Sequence, residues 1–284
     1  MKFFKEPARV QKWAENIRKE EKTIGFVPTM GALHIGHESL IKKAVKKNDS
    51  VVVSLFVNPT QFGPDEDYSS YPRKFEKDKH MCEKCGVDVL FKPGLDDMYE
   101  KNHSTAVKVK DLTNTMCGKS RPGHFRGVTT VVAKLFNIVK PHRAYFGQKD
   151  YQQYRVIQRM TRDLNFDLEL VMCPIVREKD GLAVSSRNKY LDKEQRAQAV
   201  FLYKALIKGR KLIEQGVDSV EKINRKIKSV IKENIKQGEI DYAGVYDSVS
   251  LKPAEKIDRD VVLACAVKIG KARLIDNILV KPDE

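Results

Sequence analysis

Short apolar runs and helix-patterned stretches alternate along the first two thirds of the chain. Strand-like runs lie at 22–29 (KTIGFVPT), 50–58 (SVVVSLFVN), 87–93 (VDVLFKP), 144–148 (AYFGQ) and 167–176 (DLELVMCPIV). The first run is expected to break at Pro28. Helical spacing marks 37–48, 73–85, 127–139 and 150–164; in the third of these Val131, Val132, Leu135, Phe136 and Val139 make one apolar stripe. Strands that are apolar throughout, each followed by a helix, predict an α/β fold: a Rossmann-like parallel sheet with helices on both faces. Such sheets bind ligands at the carboxyl ends of their strands, where the strand order reverses.

The pattern changes after about residue 177. A polar connection, EKDGLAVSSRNKYLD, leads into two long basic amphipathic helices at 192–215 and 219–237. The tail segments IDYAGVYDS, DRDVVLACAVKIG and KARLIDNILV then read as a small antiparallel sheet. The expected division is therefore a Rossmann-like domain over 1–177 and a smaller α+β domain over 178–284.

Composition narrows the class. The 284 residues are 41% hydrophobic and 32% charged, ordinary for a globular protein with a substantial core. No apolar run approaches the ~20 residues of a membrane span, and the amino end lacks the apolar centre of a signal peptide. Five scattered cysteines argue against a disulfide framework. Together these features predict a cytoplasmic protein with no membrane partner. Cys82 and Cys85 form a C-x-x-C without a second Cys or His pair at matching spacing, so packing is expected of them rather than metal or redox chemistry. The formal charge is +15, but the surplus is largely lysine spread at helical period without a base-reading motif, so no nucleic-acid partner is expected.

Candidate chemistry gathers at the predicted strand ends. In PTMGALHIGH, Gly31 and Gly36 permit close backbone approach, and a helix starting near His37 offers amides and a positive dipole end to a phosphate. His34 and His37 there are suited to donate to phosphate oxygens as charge builds. After the second strand, FVNPTQFGP presents the amides of Asn58 and Gln61 on a proline-stiffened loop. A third cluster, RPGHFRGV, places His124 and Arg126 before a helix. In FGQKDYQQ, Gly147 ends a strand, Lys149 supplies a cation, and Asp150 and Gln153 open the next helix. GLAVSSRN offers Ser185, Ser186 and Arg187 on a flexible connection suited to a polyphosphate. Asp78, on a charged helix, reads as a solvated acid with a water-bridged magnesium contact as its alternative, and receives no role.

Taken in order, PTMGALHIGH, FVNPTQFGP, YPR, RPGHFRGV, FGQKDYQQ and SSRN resemble the pantoate:beta-alanine ligase family, from about residue 24 to 191, with a fainter echo in KARLIDNI. The His-x-Gly-His element alone is shared with many nucleotidyltransferases and class I aminoacyl-tRNA synthetases. The resemblance implies ATP-dependent ligation of pantoate and β-alanine through a pantoyl adenylate, with magnesium accompanying ATP and a homodimeric assembly. It further implies that Met30, Gly31, Ala32, Leu33, His34, Ile35, Gly36 and His37, with Gly147, Gln148, Lys149 and Asp150, contact ATP. Lys149, Ser185, Ser186 and Arg187 would bind its phosphates, Val176 and Val184 would meet the adenine region, and the domain over 178–284 would close over a site for nucleotide and pantoate on the domain over 1–177. Gln61 and Gln153 would hold pantoate beside Met30 and Asn58, and His34, His37 and Lys149 would be catalytic. Val184 stands where the family commonly has Met, and Arg126 where a smaller or acidic residue is expected. Two other readings stay open: a nucleotidyltransferase that is not a ligase, against which Gln61 and Gln153 speak, and a nucleic-acid-binding protein, which leaves the strand-end clusters unexplained.

Overall fold

The computed structural model describes residues 1–64 and 66–281. The chain forms two compact units, one of Met1–Lys110, Arg121–Gln148 and Gln153–Pro174, the other of Asp111–Ser120, Lys149–Gln152 and Ile175–Glu284. The first unit begins with β1 (Lys2–Phe4), α1 (Pro7–Lys19), β2 (Ile24–Thr29), α2 (Ile35–Lys47), β3 (Ser50–Leu55), α3 (Phe75–Lys84), β4 (Val89–Phe91) and a short α4 (Leu95–Met98). After α5 (Met116–Ser120), which belongs to the second unit, come α6 (His124–Val139), β5 (Arg143–Gly147), α7 (Tyr151–Asp163) and β6 (Glu169–Cys173).

Among the described residues six strands make one parallel sheet in the order β1-β4-β3-β2-β5-β6. The chain moves outward from β2 to β3 and β4, then returns to lay β5 and β6 on the other side of β2. Strand order thus reverses between β2 and β5, the position at which such sheets open a crevice. Pairing there is short: β2 meets β5 only at Gly25↔Arg143 and Phe26↔Ala144, whereas it follows β3 as far as Thr29↔Leu55. This also explains Pro28, which does not break the strand as the sequence suggested; β2 runs through it to Thr29. A residue without an N–H is tolerated where the ladder on the β5 side has already ended.

Alternation along the strands covers both faces. Tyr145 joins Leu40, Ile41 and Ala44 of α2 and Cys82 of α3 in one apolar cluster. Its neighbour Phe146 points the other way and meets Phe136 of α6 with ring centroids 6.4 Å apart. Cys82 and Cys85 pack within the α2–α3 cluster, and burial pushes the Cys82 thiol up to about 12, so it stays an inert apolar group. The edge strand β1 is not legible in the sequence because three residues, Lys2–Phe4, are too few to show a period.

In the second unit α8 (Lys193–Ala199), α9 (Phe201–Glu214) and α10 (Val220–Asn234) precede an antiparallel sheet of β7 (Gly238–Asp247), β8 (Val261–Ile269) and β9 (Ala272–Val280), ordered β7-β8-β9. The single helix expected over 192–215 is divided at Val200. Val200 itself keeps helical dihedrals, φ −60° and ψ −26°, so helical spacing runs through the break, and Ala199, Val200 and Leu202 are all buried. Leu206, Ile223, Ile227 and Ile231 pack inward with Leu263 and Cys265 of β8, while Lys204, Lys208, Lys222 and Lys226 are exposed. Among the described residues no helix is long and apolar enough to cross a membrane.

One close approach ties α6 to the loop after β3. A Cβ on Gly127 would stand 2.3 Å from the Thr60 carbonyl oxygen, and backbone there cannot yield as a side chain does. Gly127→Ala is therefore expected to destabilise by about 1–3 kcal/mol. Gly147→Ala, whose Cβ meets nothing within 4 Å, leaves stability unchanged. Thermal melts of the two variants, side by side with the parent, check the contrast.

Candidate active site

The turn after β2 is held in an unusual backbone conformation. Gly31 and Ala32 both have positive φ, 85° and 51°, and for alanine that region costs of order 1–3 kcal/mol. Asp78 of α3 offsets the strain. Its two carboxylate oxygens accept from Ala32 N and Leu33 N, each at 2.8 Å, and hydrogen bonds to a charged group contribute about 1.5–3 kcal/mol apiece. Contrary to the solvated acid expected here, Asp78 is only 3% exposed. Burial raises its pKa, and the Leu33 and Ala32 amides only partly reverse this. The signal is present in the sequence: Asp78 lies four residues before the buried Cys82, on the inward stripe of α3. Gly31 serves the clamp as well, since a Cβ there would stand 3.1 Å from the Asp78 Oδ2.

From this turn His34 enters as the N-cap of α2, with extended backbone. Its Nδ1 accepts from Gly36 N at 3.2 Å, and the His37 Nδ1 accepts from His34 N at 3.3 Å. The two rings lie 4.0 Å apart, tilted by 34°. This is a reciprocal capping box built from two imidazoles. An accepting Nδ1 is unprotonated, so the neutral tautomer of each ring carries its proton on Nε2. Gly36 is needed between them, because a Cβ would lie 3.0 Å from the His34 ring. Ile35 is exposed and Met30 and Leu33 are half-buried.

The β3 end assembles the expected amides. Asn58, buried, donates from Nδ2 to the Gln61 Oε1 at 3.2 Å and to the Gly127 carbonyl at 3.1 Å, and its Oδ1 accepts from the Tyr99 hydroxyl at 2.9 Å. Gln61 in turn directs Nε2 to the Met30 sulfur at 3.1 Å. Met30, Asn58 and Gln61 are thus brought together. His124 lies behind them: its Nδ1 is 2.7 Å from the Gln61 carbonyl oxygen and its Nε2 is 3.0 Å from Arg121 Nη1. Arg121 Nε also donates to Glu66 Oε1 at 2.6 Å. Burial pushes the Glu66 carboxyl up, yet the Arg121 guanidinium outweighs it and holds the group below its ordinary range. Sequence reasoning assigns no role to Tyr99, Arg121 or Glu66: Arg121 stands inside RPGHFRGV and Glu66 five residues after Gln61, but nothing local pairs the two, and Tyr99 lies apart from every motif. Arg126 is exposed in the first turn of α6.

Gly147 and Gln148 stand at the end of β5, beside the strand-order reversal, and Gln153, half-buried, is in the first turn of α7. Its neighbour Gln152 is buried and structural, donating to the Leu112 and Thr115 carbonyls at 2.8 and 2.9 Å.

The second unit carries the remaining candidates. Lys149, half-buried, and Asp150, exposed, form a 3₁₀ turn with Gln148. Val184 N donates to the Val176 carbonyl at 3.0 Å, so these two expected nucleotide contacts face each other across the connection. Ser185 caps the 3₁₀ turn Ser186–Tyr190, its Oγ accepting from Arg187 N at 3.2 Å. Lys149, Ser185, Asn188 and Asp276 line one cavity. Arg177 grips Asp276 by two bonds, Nη1 to Oδ2 at 2.7 Å and Nη2 to Oδ1 at 2.9 Å, and its guanidinium stacks 3.7 Å from the Tyr203 ring centre. Burial raises the Asp276 pKa, with Arg177 and more weakly Lys149 drawing it down.

Among the described residues no group of three or more His, Cys, Asp or Glu side chains is arranged to hold a metal ion.

A family model described as pantoate-beta-alanine ligase matches residues 2–279. The chain is 56% identical over 275 residues to the pantothenate synthetase of Clostridium novyi (strain NT), covering 97% of each chain. It is 54% identical to that of Thermotoga petrophila, covering 98% of this chain and 99% of the relative. A crystal structure of pantothenate synthetase from Thermus thermophilus superposes with a TM-score of 0.92 at 43% identity, covering 98% of this chain and 99% of that one. A pantoate-beta-alanine ligase from Francisella tularensis, complexed with beta-gamma ATP and beta-alanine, superposes with a TM-score of 0.80 at 36% identity, covering 99% of each. With its parallel sheet, its strand-end clusters and a match along nearly its whole length, the chain belongs to the pantoate-beta-alanine ligase family.

Proposed function

We propose that the protein ligates (R)-pantoate to β-alanine at the expense of ATP, giving pantothenate, AMP and pyrophosphate. The single observation that carries this reading is the paired-imidazole cap on α2, held by Asp78 at the end of β2 beside the strand-order reversal. A carboxylate is unreactive towards an amine, and transfer of adenylate to its oxygen supplies a good leaving group. The pantoate oxygen attacks the α-phosphorus, an O–P bond forms, and pyrophosphate leaves. The β-alanine nitrogen then attacks the acyl carbon, AMP leaves with the electron pair of the broken C–O bond, and the nitrogen loses a proton.

Neither step needs a protein nucleophile; both need positioning and fixed donors. His34 and His37 donate from Nε2 to the α-phosphate oxygens as negative charge grows on them. Residues 30–37 and Gly147–Asp150 contact ATP, with Lys149, Ser185, Ser186 and Arg187 on its phosphates and Val176 and Val184 towards the adenine. Gln61 and Gln153 hold pantoate, with Asn58 fixing the Gln61 amide and Met30 beside it. Magnesium would accompany ATP on its phosphates and spread their charge; no side chain of this chain is assigned to it. The reading carries with it a cytoplasmic homodimer, the first supported by free, buried cysteines and the second by family resemblance.

Incubation with ATP, pantoate and β-alanine, together and with each omitted, tests the reaction. AMP and pyrophosphate in equal amounts, formed with pantothenate, are expected; stoichiometric ADP and phosphate would sink the adenylate route. A second expectation concerns Gln153. A bound hydroxyl or carboxylate left without its amide partner costs about 1–3 kcal/mol, so Gln153→Ala should raise the KM for pantoate well beyond any change for ATP. Equal shifts for the two substrates would remove pantoate from its role.

A further inference from the structure

The carboxyl-terminal strand holds two polar residues where packing alone calls for none. Asp276 and Asn277 of β9 are 2% and 3% exposed, and polar side chains are buried only where bonds compensate their lost water. The bonds they make run to the phosphate-binding candidates. Asn277 donates from Nδ2 to the backbone carbonyl of Lys149 at 3.0 Å. Asp276 accepts the paired bonds of Arg177, whose Nη1 also donates to the Gly181 carbonyl at 3.1 Å, at the root of the stretch that leads to Ser185, Ser186 and Arg187. An antiparallel bridge between Arg177 and Ala183 keeps that stretch in register. The dipeptide is knit together by the Asn277 N–H, which donates to Asp276 Oδ1 at 2.7 Å. Lys149 sits in a 3₁₀ turn between β5 and α7, outside the sheet ladder, so its carbonyl depends on partners of this kind.

We propose that Asn277 is a positioning residue for adenylation: through its bond to the Lys149 carbonyl it sets where the Lys149 ammonium meets the ATP phosphates, while Asp276 braces the connection bearing Ser185–Arg187. The proposal rests on the assignment of Lys149 to the phosphates. A buried neutral amide bonded to the backbone of a lysine is suited to fix direction rather than to supply charge, so its loss loosens one substrate contact and leaves the others in place.

A double-mutant cycle tests it. Pantoate-dependent exchange of labelled pyrophosphate into ATP, with calorimetric ATP binding as a second readout, is measured for Asn277→Ala, Lys149→Ala and the double variant, each shown by thermal melting to be folded. Asn277→Ala alone should slow exchange about tenfold, the scale of one neutral hydrogen bond. In the Lys149→Ala background the same change should cost no more than about twofold, because the residues act as one unit. Transfer from supplied pantoyl adenylate to β-alanine should also stay within about twofold of the parent. An equal loss in both backgrounds, or no loss in the single variant, overturns the positioning role while leaving the ligase reading intact. Exchange and ATP binding unchanged by Lys149→Ala overturn the Lys149 assignment and the proposal with it. Should Asn277→Ala not fold, Asn277→Ser, which keeps a polar group too short to reach the carbonyl, takes its place in the cycle.

Discussion

One buried carboxylate, receiving two consecutive backbone amides, sets the geometry from which the first unit's chemistry follows. Asp78 holds Ala32 and Leu33 at the end of β2, and the chain needs such a hold because Gly31 and Ala32 lie in the left-handed region. Released from the clamp, an alanine would leave that region, and the direction in which His34 enters α2 would change with it. The histidines then fix each other by capping the helix reciprocally. Two imidazoles used as caps at Nδ1 are locked in ring orientation and in tautomer, which is what a preorganised donor requires. The side chains that hold the helix start are therefore the ones to which the proposed chemistry is assigned.

The second cluster obeys a related economy. Gln61 is fixed from its side chain by Asn58 and from its carbonyl by His124, with Gly127 allowing α6 to lie directly against the loop. In the second unit, β9 reaches the Lys149 carbonyl with a buried amide and braces the serine-bearing connection through Arg177. In each of these clusters a proposed substrate contact is backed by a buried polar residue, and Asp78 and Asn277 do so from far along the chain. That division suits a ligation whose rate comes from holding reactants and charges in place rather than from a nucleophile of the protein.

Much of this is legible in the sequence, for definable reasons. Parallel strands buried on both faces write continuous apolar runs, so β2, β3, β5 and β6 are readable, and glycines and histidines clustered after those runs mark the strand ends. Pro28 misleads because a proline usually stops a strand, and only the early end of the β2–β5 ladder, a tertiary fact, excuses it. The break at Val200 is hidden because Val200 keeps helical dihedrals and helical spacing continues on either side. Asp78 reads as a surface acid because charge is the stronger prior, although its place on the Cys82 stripe points inward. Arg121 lies within RPGHFRGV and Asp276 and Asn277 within KARLIDNI, yet like Tyr99, which stands 41 positions from Asn58, they act through partners far along the chain that no local pattern announces.

The claim on which the account stands is that His34 and His37 act on the developing charge of adenylation. Single-turnover measurement of the two half-reactions separates that role from simple turn closure. With a His37→Ala variant shown by thermal melting to be folded, adenylate formation from ATP and pantoate should slow by roughly 10² to 10³, the scale for one preorganised donor. Transfer from supplied pantoyl adenylate to β-alanine should fall far less. Adenylate formation at the parental rate, or equal slowing of both steps, would contradict the account.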